Sequence, residues 1–233
     1  MHPRFTAKTL TFLRALKRNN TREWFAPRKA DYDRDVRAPM IAVVEQLAKD
    51  FRRFAPELEA SPKTSIFRIY RDTRFSDDKS PYKTQVAAAF RDRRLPRGES
   101  AGLYVEVTPG WVWMGGGYYA PDTPALARIR EHISDTYPEI DRLTRRAAFT
   151  RAVGVLEGER LTRVPRGFSK DDPAAEYLKY RSFLAGRELP AVFATSSAFY
   201  PTLVATFKAL MPLVRFLTEP LGDGRAVSGR GRG

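Results

Sequence analysis

The spacing of apolar positions changes twice along the chain, and each change predicts a new structural type. At residues 9–17, Leu10, Leu13 and Leu16 recur at helical spacing with Phe12 beside them. This predicts a short helix that Asn19-Asn20 stops, since asparagine tolerates the left-handed conformation. Asn20 with Glu23 three residues on has the form of a capping box, so a second helix is expected there, with Trp24 and Phe25 in its first turn. Beyond Pro39, which should kink or restart the helix, Met40, Val44, Leu47, Phe51 and Phe54 keep a helical stripe.

After Pro56 and Pro62 the period drops to two. Residues 66–71 alternate, with Phe67 and Ile69 on one face and Ile66, Arg68 and Tyr70 on the other. Residues 85–91, 102–108 and 111–119 read as three more strands, the last two joined by the turn Pro109-Gly110. Helical patterns return at Thr123, with Asp122 or Thr123 as cap and Leu126, Ile129 and Ile133 as the buried stripe. Pro138 opens another helix and Asp172-Pro173 a further one, with a candidate edge strand at residues 161–164 between them. Phe199, Leu203, Phe207, Leu210, Val214 and Leu217 predict a long final helix that Pro212 should kink or split.

The fold expected is α+β: a central, mainly antiparallel sheet of about four strands within residues 66–119, flanked by N-terminal and C-terminal helices. No linker or repeat interrupts it, so one domain is expected over residues 1–221, followed by a flexible Gly/Arg tail over 222–233.

Composition narrows the chemistry. The absence of cysteine removes disulfides, thiol nucleophiles and Cys-ligated metals, and two histidines are too few for a multi-histidine centre. His132 flanks a helical stripe, where a packed or surface role is the simpler expectation. No apolar run has the length of a membrane span, and the N-terminus has no signal-peptide core, so a cytoplasmic protein with no membrane partner is expected. The net charge of +14 favours acidic partners. The cations are 31 Arg and 10 Lys, a bias that high-GC coding would also produce. The tail carries three Arg and one Asp, so +12 remains on the body.

That charge concentrates in residues 66–84, IFRIYRDTRFSDDKSPYKT, where Arg68, Arg71, Arg74, Lys79 and Lys83 accompany Asp72, Asp77 and Asp78. The first strand would put Arg68 and Tyr70 beside Tyr104, Glu106 and Trp113 on the polar sheet face, with the loop that follows folding over it. Glycines at 115–117 lie in a strand, where they cost stability unless a bulge or close approach needs them, so Gly116 joins the candidates. Arginine suits such a site because its planar fork grips carboxylate or phosphate oxygens in pairs. The expected ligand site is therefore Arg68, Tyr70, Arg71, Asp72, Arg74 and Lys79, with Tyr82, Lys83, Glu106, Trp113 and Gly116. Its partner would be a small anion carrying phosphate or carboxylate. Three acids matched by five cations, without EF-hand spacing, do not make a metal set. Nucleophile-elbow, Walker A and zinc-protease motifs are absent, and no cofactor follows from these residues. Acid–base candidates are Tyr70, Tyr82, Lys79, Asp78 and Glu106. Two other readings compete. The face could bind nucleic acid, with Tyr70, Tyr104 and Trp113 stacking on bases. Alternatively, the charged run could be an internal ion-pair clamp in a structural or interaction domain.

The run RIYRDTRFSDDKSPYKT, with NNTREWF before it and GGGYYAPD and SFLAGREL after it, resembles the bacterial and fungal family catalogued as domain of unknown function 2461. The resemblance covers about Phe5 to Leu221 and leaves the Gly/Arg tail outside. It implies a cytoplasmic single-domain protein, and it transfers no activity, cofactor or partner.

Overall fold

A computed structural model describes residues 2–222; from residue 223 the expected Gly/Arg tail lies outside the described residues. The chain is α+β, with a four-stranded antiparallel sheet flanked by N-terminal and C-terminal helices. It opens with α1 (Ala7–Arg18), α2 (Arg22–Phe25), a 3-10 turn, α3 (Lys29–Tyr32), a π-helical turn (Asp33–Arg37) and α4 (Ala38–Phe54). The short α5 (Pro62–Ser65) leads to the strands β1 (Val86–Arg91), β2 (Gly102–Val107) and β3 (Trp111–Tyr118). Four helices follow: α6 (Thr123–Asp135), α7 (Tyr137–Arg145), α8 (Ala147–Val153) and α9 (Ala175–Leu178). Strand β4 (Phe183–Pro190) and α10 (Phe199–Gly222) complete the described residues, and α10 runs unsplit through Pro212.

The strand order is β1-β2-β3-β4, and this corrects the expected span of the sheet. The fourth strand comes from residues 183–190, not 66–71. Residues 66–71 alternate but divide their hydrogen bonds between two partners. Ile66 and Phe67 lie along β1, with the Phe67 N–H donating to the Ala87 carbonyl at 3.0 Å. Three residues on, the segment turns to pair with residues 81–83: Arg71 N–H reaches the Pro81 carbonyl at 3.0 Å and Lys83 N–H the Ile69 carbonyl at 2.8 Å. The candidate edge strand at 161–164 is likewise absent, and the stretch before it is tied down by isolated bridges at Glu157 and Arg160 and by the Arg160–Glu176 ion pair.

All the helical cover lies on one face of the sheet. Helix α10 packs along β2 and β3, and α4 packs against β1. Phe90, Leu103, Val105, Val107, Val112 and Met114 point into this layer and are almost fully buried. The register gives the other face Ala87 and Ala89, then Glu106 and Tyr104, then Trp113 and Gly115, then Glu188 and Gly186. Among the described residues no helix covers this second face.

One buried hydroxyl ties α1 to the π-helical turn before α4. The Asp35 carbonyl would accept from residue 39 in an α-helix, but Pro39 has no N–H. The chain meets this with the π-turn, and buried Thr9 Oγ1 donates to the Asp35 carbonyl at 2.5 Å. The same oxygen accepts the Thr6 N–H at 3.2 Å, which caps α1. Thr9→Val keeps the shape and leaves both groups unpaired, so we expect a loss of about 1–3 kcal/mol in urea unfolding. An unchanged midpoint would show that neither bond contributes.

Candidate functional site

The pairing of residues 69–71 with 81–83 makes residues 72–80 a closed loop, and its charges are largely engaged with one another. Arg71 pairs with Asp78 and its Nη2 donates to Ser76 Oγ at 3.3 Å. Arg74 grips Asp72 through Nε at 3.0 Å and Nη2 at 2.7 Å. Lys79 Nζ donates to the Thr73 carbonyl at 3.1 Å. Hydrogen bonds from Ser80, hydroxyl and backbone N–H, and from Arg71 hold the Asp78 carboxyl well below the usual range. The Arg74 side chain does the same for Asp72.

Between this loop and α1 lies an open cleft of about 630 Å³. The loop side gives it Arg71, Asp72, Asp78 and Ser80, and the returning strand gives Tyr82, Lys83, Thr84 and Gln85. The far wall is Lys17 from the last turn of α1, with Asn20 just beyond it. Lys17 and Lys83 make no ion pair among the described residues, while the two carboxylates of the lining, Asp72 and Asp78, are engaged by Arg74 and Arg71. Burial, and secondarily the nearby Arg68 charge, push the Lys83 pKa down.

Asn20 does not cap α2 as the sequence pattern suggested; Thr21 does, its hydroxyl accepting from the Trp24 N–H at 3.2 Å. Asn20 instead reaches 62 residues along the chain. Its Oδ1 accepts the Tyr82 N–H at 3.1 Å, and its Nδ2 donates to the Tyr82 carbonyl at 2.8 Å. Tyr82 is thereby fixed against α2, its buried ring stacked on Phe25 with centroids 4.2 Å apart. Asn20 and Thr84 lie within the two motif segments but drew no ligand role from sequence. Lys17 carried no signal, being one basic residue at a helix end among many.

The structure therefore brings Arg71, Asp72, Tyr82 and Lys83 into the cleft and sends the other expected residues elsewhere. Arg68, Arg74 and Lys79 are exposed outside it. Tyr70 is exposed and leans on Tyr82 at 5.6 Å. Gly116 is buried and faces the helices, where a methyl group would meet Leu103 Cδ2 at 2.9 Å, so its bareness serves packing.

Glu106 and Trp113 lie on the open sheet face, as expected. Phe67, which the alternation placed on the face opposite Arg68 and Tyr70, joins them there, 45% exposed with its ring 6.0 Å from Tyr104. Tyr104 stands 5.9 Å from Trp113, and its hydroxyl donates to Glu106 Oε2 at 3.0 Å. Burial pushes the Tyr104 pKa up, as it does the Glu106 carboxyl, although the Tyr104 hydrogen bond pulls the latter back. A carboxyl raised in the folded state favours its neutral form, so stability is greatest below the ordinary carboxylate range and falls as pH rises through it. Glu106→Gln should therefore melt higher than wild type at pH 7, and the gain should vanish below about pH 4. A gain that is the same at both pH values would assign it to packing.

His132 is packed rather than exposed, its ring 4.5 Å from Phe216. Among the described residues no group of three His, Asp or Glu side chains is placed to hold a metal ion, and no helix is long and apolar enough to cross a membrane.

Comparison with known proteins adds one finding. The model of a family described as conserved hypothetical proteins matches residues 8–216, nearly all of the chain. No curated protein and no solved structure matches it.

Proposed function

The chain belongs to the DUF2461 family of conserved hypothetical proteins, and from the geometry of its cleft we propose that it binds a small phosphate- or carboxylate-bearing ligand there, in the cytoplasm. The observation that carries this reading is the pair of lysine side chains, Lys17 and Lys83, that line one cleft without an ion-pair partner among the described residues. Arg71 stands beside them, positioned by Asp78. The loop's ion pairs, Arg71 with Asp78 and Arg74 with Asp72, support this reading because they brace one wall of the cleft.

Two charge-assisted hydrogen bonds of about 1.5–3 kcal/mol each correspond to a dissociation constant on the order of 1 mM for a simple anion. At ten times that constant, bound phosphate would add about 1.4 kcal/mol of stability, or roughly 3–6 °C in melting temperature for a chain of this size. The test is thermal denaturation in phosphate against chloride at matched ionic strength. Wild type should show the shift, and Lys83→Ala should lose most of it. A shift that Lys83→Ala and Lys17→Ala both keep would place the anion elsewhere.

A further inference from the structure

The cleft does not stop at Lys83. This side chain lines the cleft while its Nζ lies 5.0 Å from the centroid of the Phe67 ring, on the open face of the sheet. From Phe67 the aromatic rings continue to Tyr104 and then to Trp113. Glycine lies beneath the far end of this row. A methyl group at Gly115 or at Gly186 would come within 2.3 Å of the Trp113 ring, so the two bare positions let the indole lie flat along β3 and β4. Ala87 and Ala89 keep the β1 side equally low. Glu106 stands directly across from Trp113 and two residues along β2 from Tyr104, and no cation among the described residues pairs with it.

A stepped aromatic shelf whose rings are inclined at 67° and 53° to one another, a hydrogen-bond acceptor beside it and a cationic cleft joined to its edge are the parts that a base and a phosphate need together. We propose that the ligand of the cleft is a nucleotide, its phosphate held among Lys17, Arg71 and Lys83 and its base stacked on a ring of the Phe67–Tyr104–Trp113 shelf. This rests on the anion-binding reading above and names its substrate class. Stacking accepts any base, because every base has a π-face. Glu106 supplies the selectivity: a carboxylate accepts from an amino group on a base edge, as it does from cytosine N4, and is repelled by a carbonyl edge. Lys83 bridges the two halves, since an ammonium over the near edge of the shelf can meet the phosphate of a nucleotide whose base lies on the adjoining rings. A free nucleotide and a nucleotide within a single strand share this chemistry.

The experiment titrates the full chain with inorganic phosphate, ribose 5-phosphate, the four ribonucleoside monophosphates and a single-stranded hexaribonucleotide. At least one monophosphate should bind about tenfold tighter than ribose 5-phosphate, a difference of about 1.4 kcal/mol. Trp113→Ala should abolish that difference while leaving ribose 5-phosphate affinity unchanged. Phe67→Ala, at an exposed position, provides the same reading if Trp113→Ala fails to fold. Equal binding of ribose 5-phosphate and every monophosphate would overturn the nucleotide assignment and leave the anion cleft standing. Failure of every phosphate compound to bind folded protein would remove the anion cleft, and the assignment with it. A hexanucleotide bound more than tenfold tighter than the monophosphates, and weakened by Trp113→Ala, would support the assignment with a strand as the source. A hexanucleotide whose binding survives both substitutions would overturn the shelf.

Discussion

Asn20→Ala should destabilise the protein by about 2–4 kcal/mol, although the residue lies outside every helix and strand. Tyr82 is half of an isolated bridge, and the bonds of that bridge are made by its neighbours, Arg71 to Pro81 and Lys83 to Ile69. The N–H and carbonyl of Tyr82 point the other way, and the Asn20 amide takes both, as an adjoining strand would. Truncation leaves a donor and an acceptor unpaired in a partly buried setting, at about 1–3 kcal/mol each when water cannot replace the bond. Asn20→Asp, which keeps the acceptor for the Tyr82 N–H and loses the donor, should fall between Ala and wild type. Because Asn20 also forms the cleft wall, the anion-induced stabilisation should shrink in parallel. Urea denaturation reads the first effect, and a loss under about 0.5 kcal/mol for Asn20→Ala would show that the clasp is incidental.

The other large effect is expected at Gly117, within the GGGYY segment. Its φ of +131° is one that residues with a Cβ rarely adopt, and a methyl group there would lie 1.9 Å from the Phe183 carbonyl oxygen. The obstacle is the backbone of β4, which cannot move aside without giving up its pairing with β3. Gly117→Ala should therefore cost more than about 3 kcal/mol, combining backbone strain with overpacking. It should appear as a collapse of the thermal transition or as insoluble protein. A well-folded Gly117→Ala protein within about 1 kcal/mol of wild type would mean that β4 is not paired at this register.

The contrast between these positions and the helices explains what the sequence could show. The stripes of α4 and α10, and the alternation of Leu103, Val105 and Val107 against Tyr104 and Glu106, report burial directly, and burial is what periodicity measures. Residues 66–71 alternate just as well, yet alternation carries no information about which neighbour takes the backbone hydrogen bonds. The segment pairs with β1 at one end and with residues 81–83 at the other, so it is never one strand. Strand β4 was hidden for the opposite reason. Gly186, Arg187 and Glu188 break its apolar pattern, and the bare position at Gly186 is needed by the Trp113 ring from the next strand. The cleft was half legible: the clustered charge marked Arg71, Asp72 and Lys83. Lys17 and Asn20 come from a distant helix end, and their contribution depends on a long-range contact that no local pattern encodes.

The central claim is that Lys17, Arg71 and Lys83 together receive an anion, and the most direct test is a crystal structure grown with tungstate, a phosphate-shaped oxyanion with strong anomalous scattering. The account predicts an anomalous peak in the cleft, with oxygens within about 3 Å of Lys83 Nζ and of at least one of Lys17 and Arg71. A peak elsewhere on the basic surface, with the cleft empty at full tungstate occupancy, would contradict it.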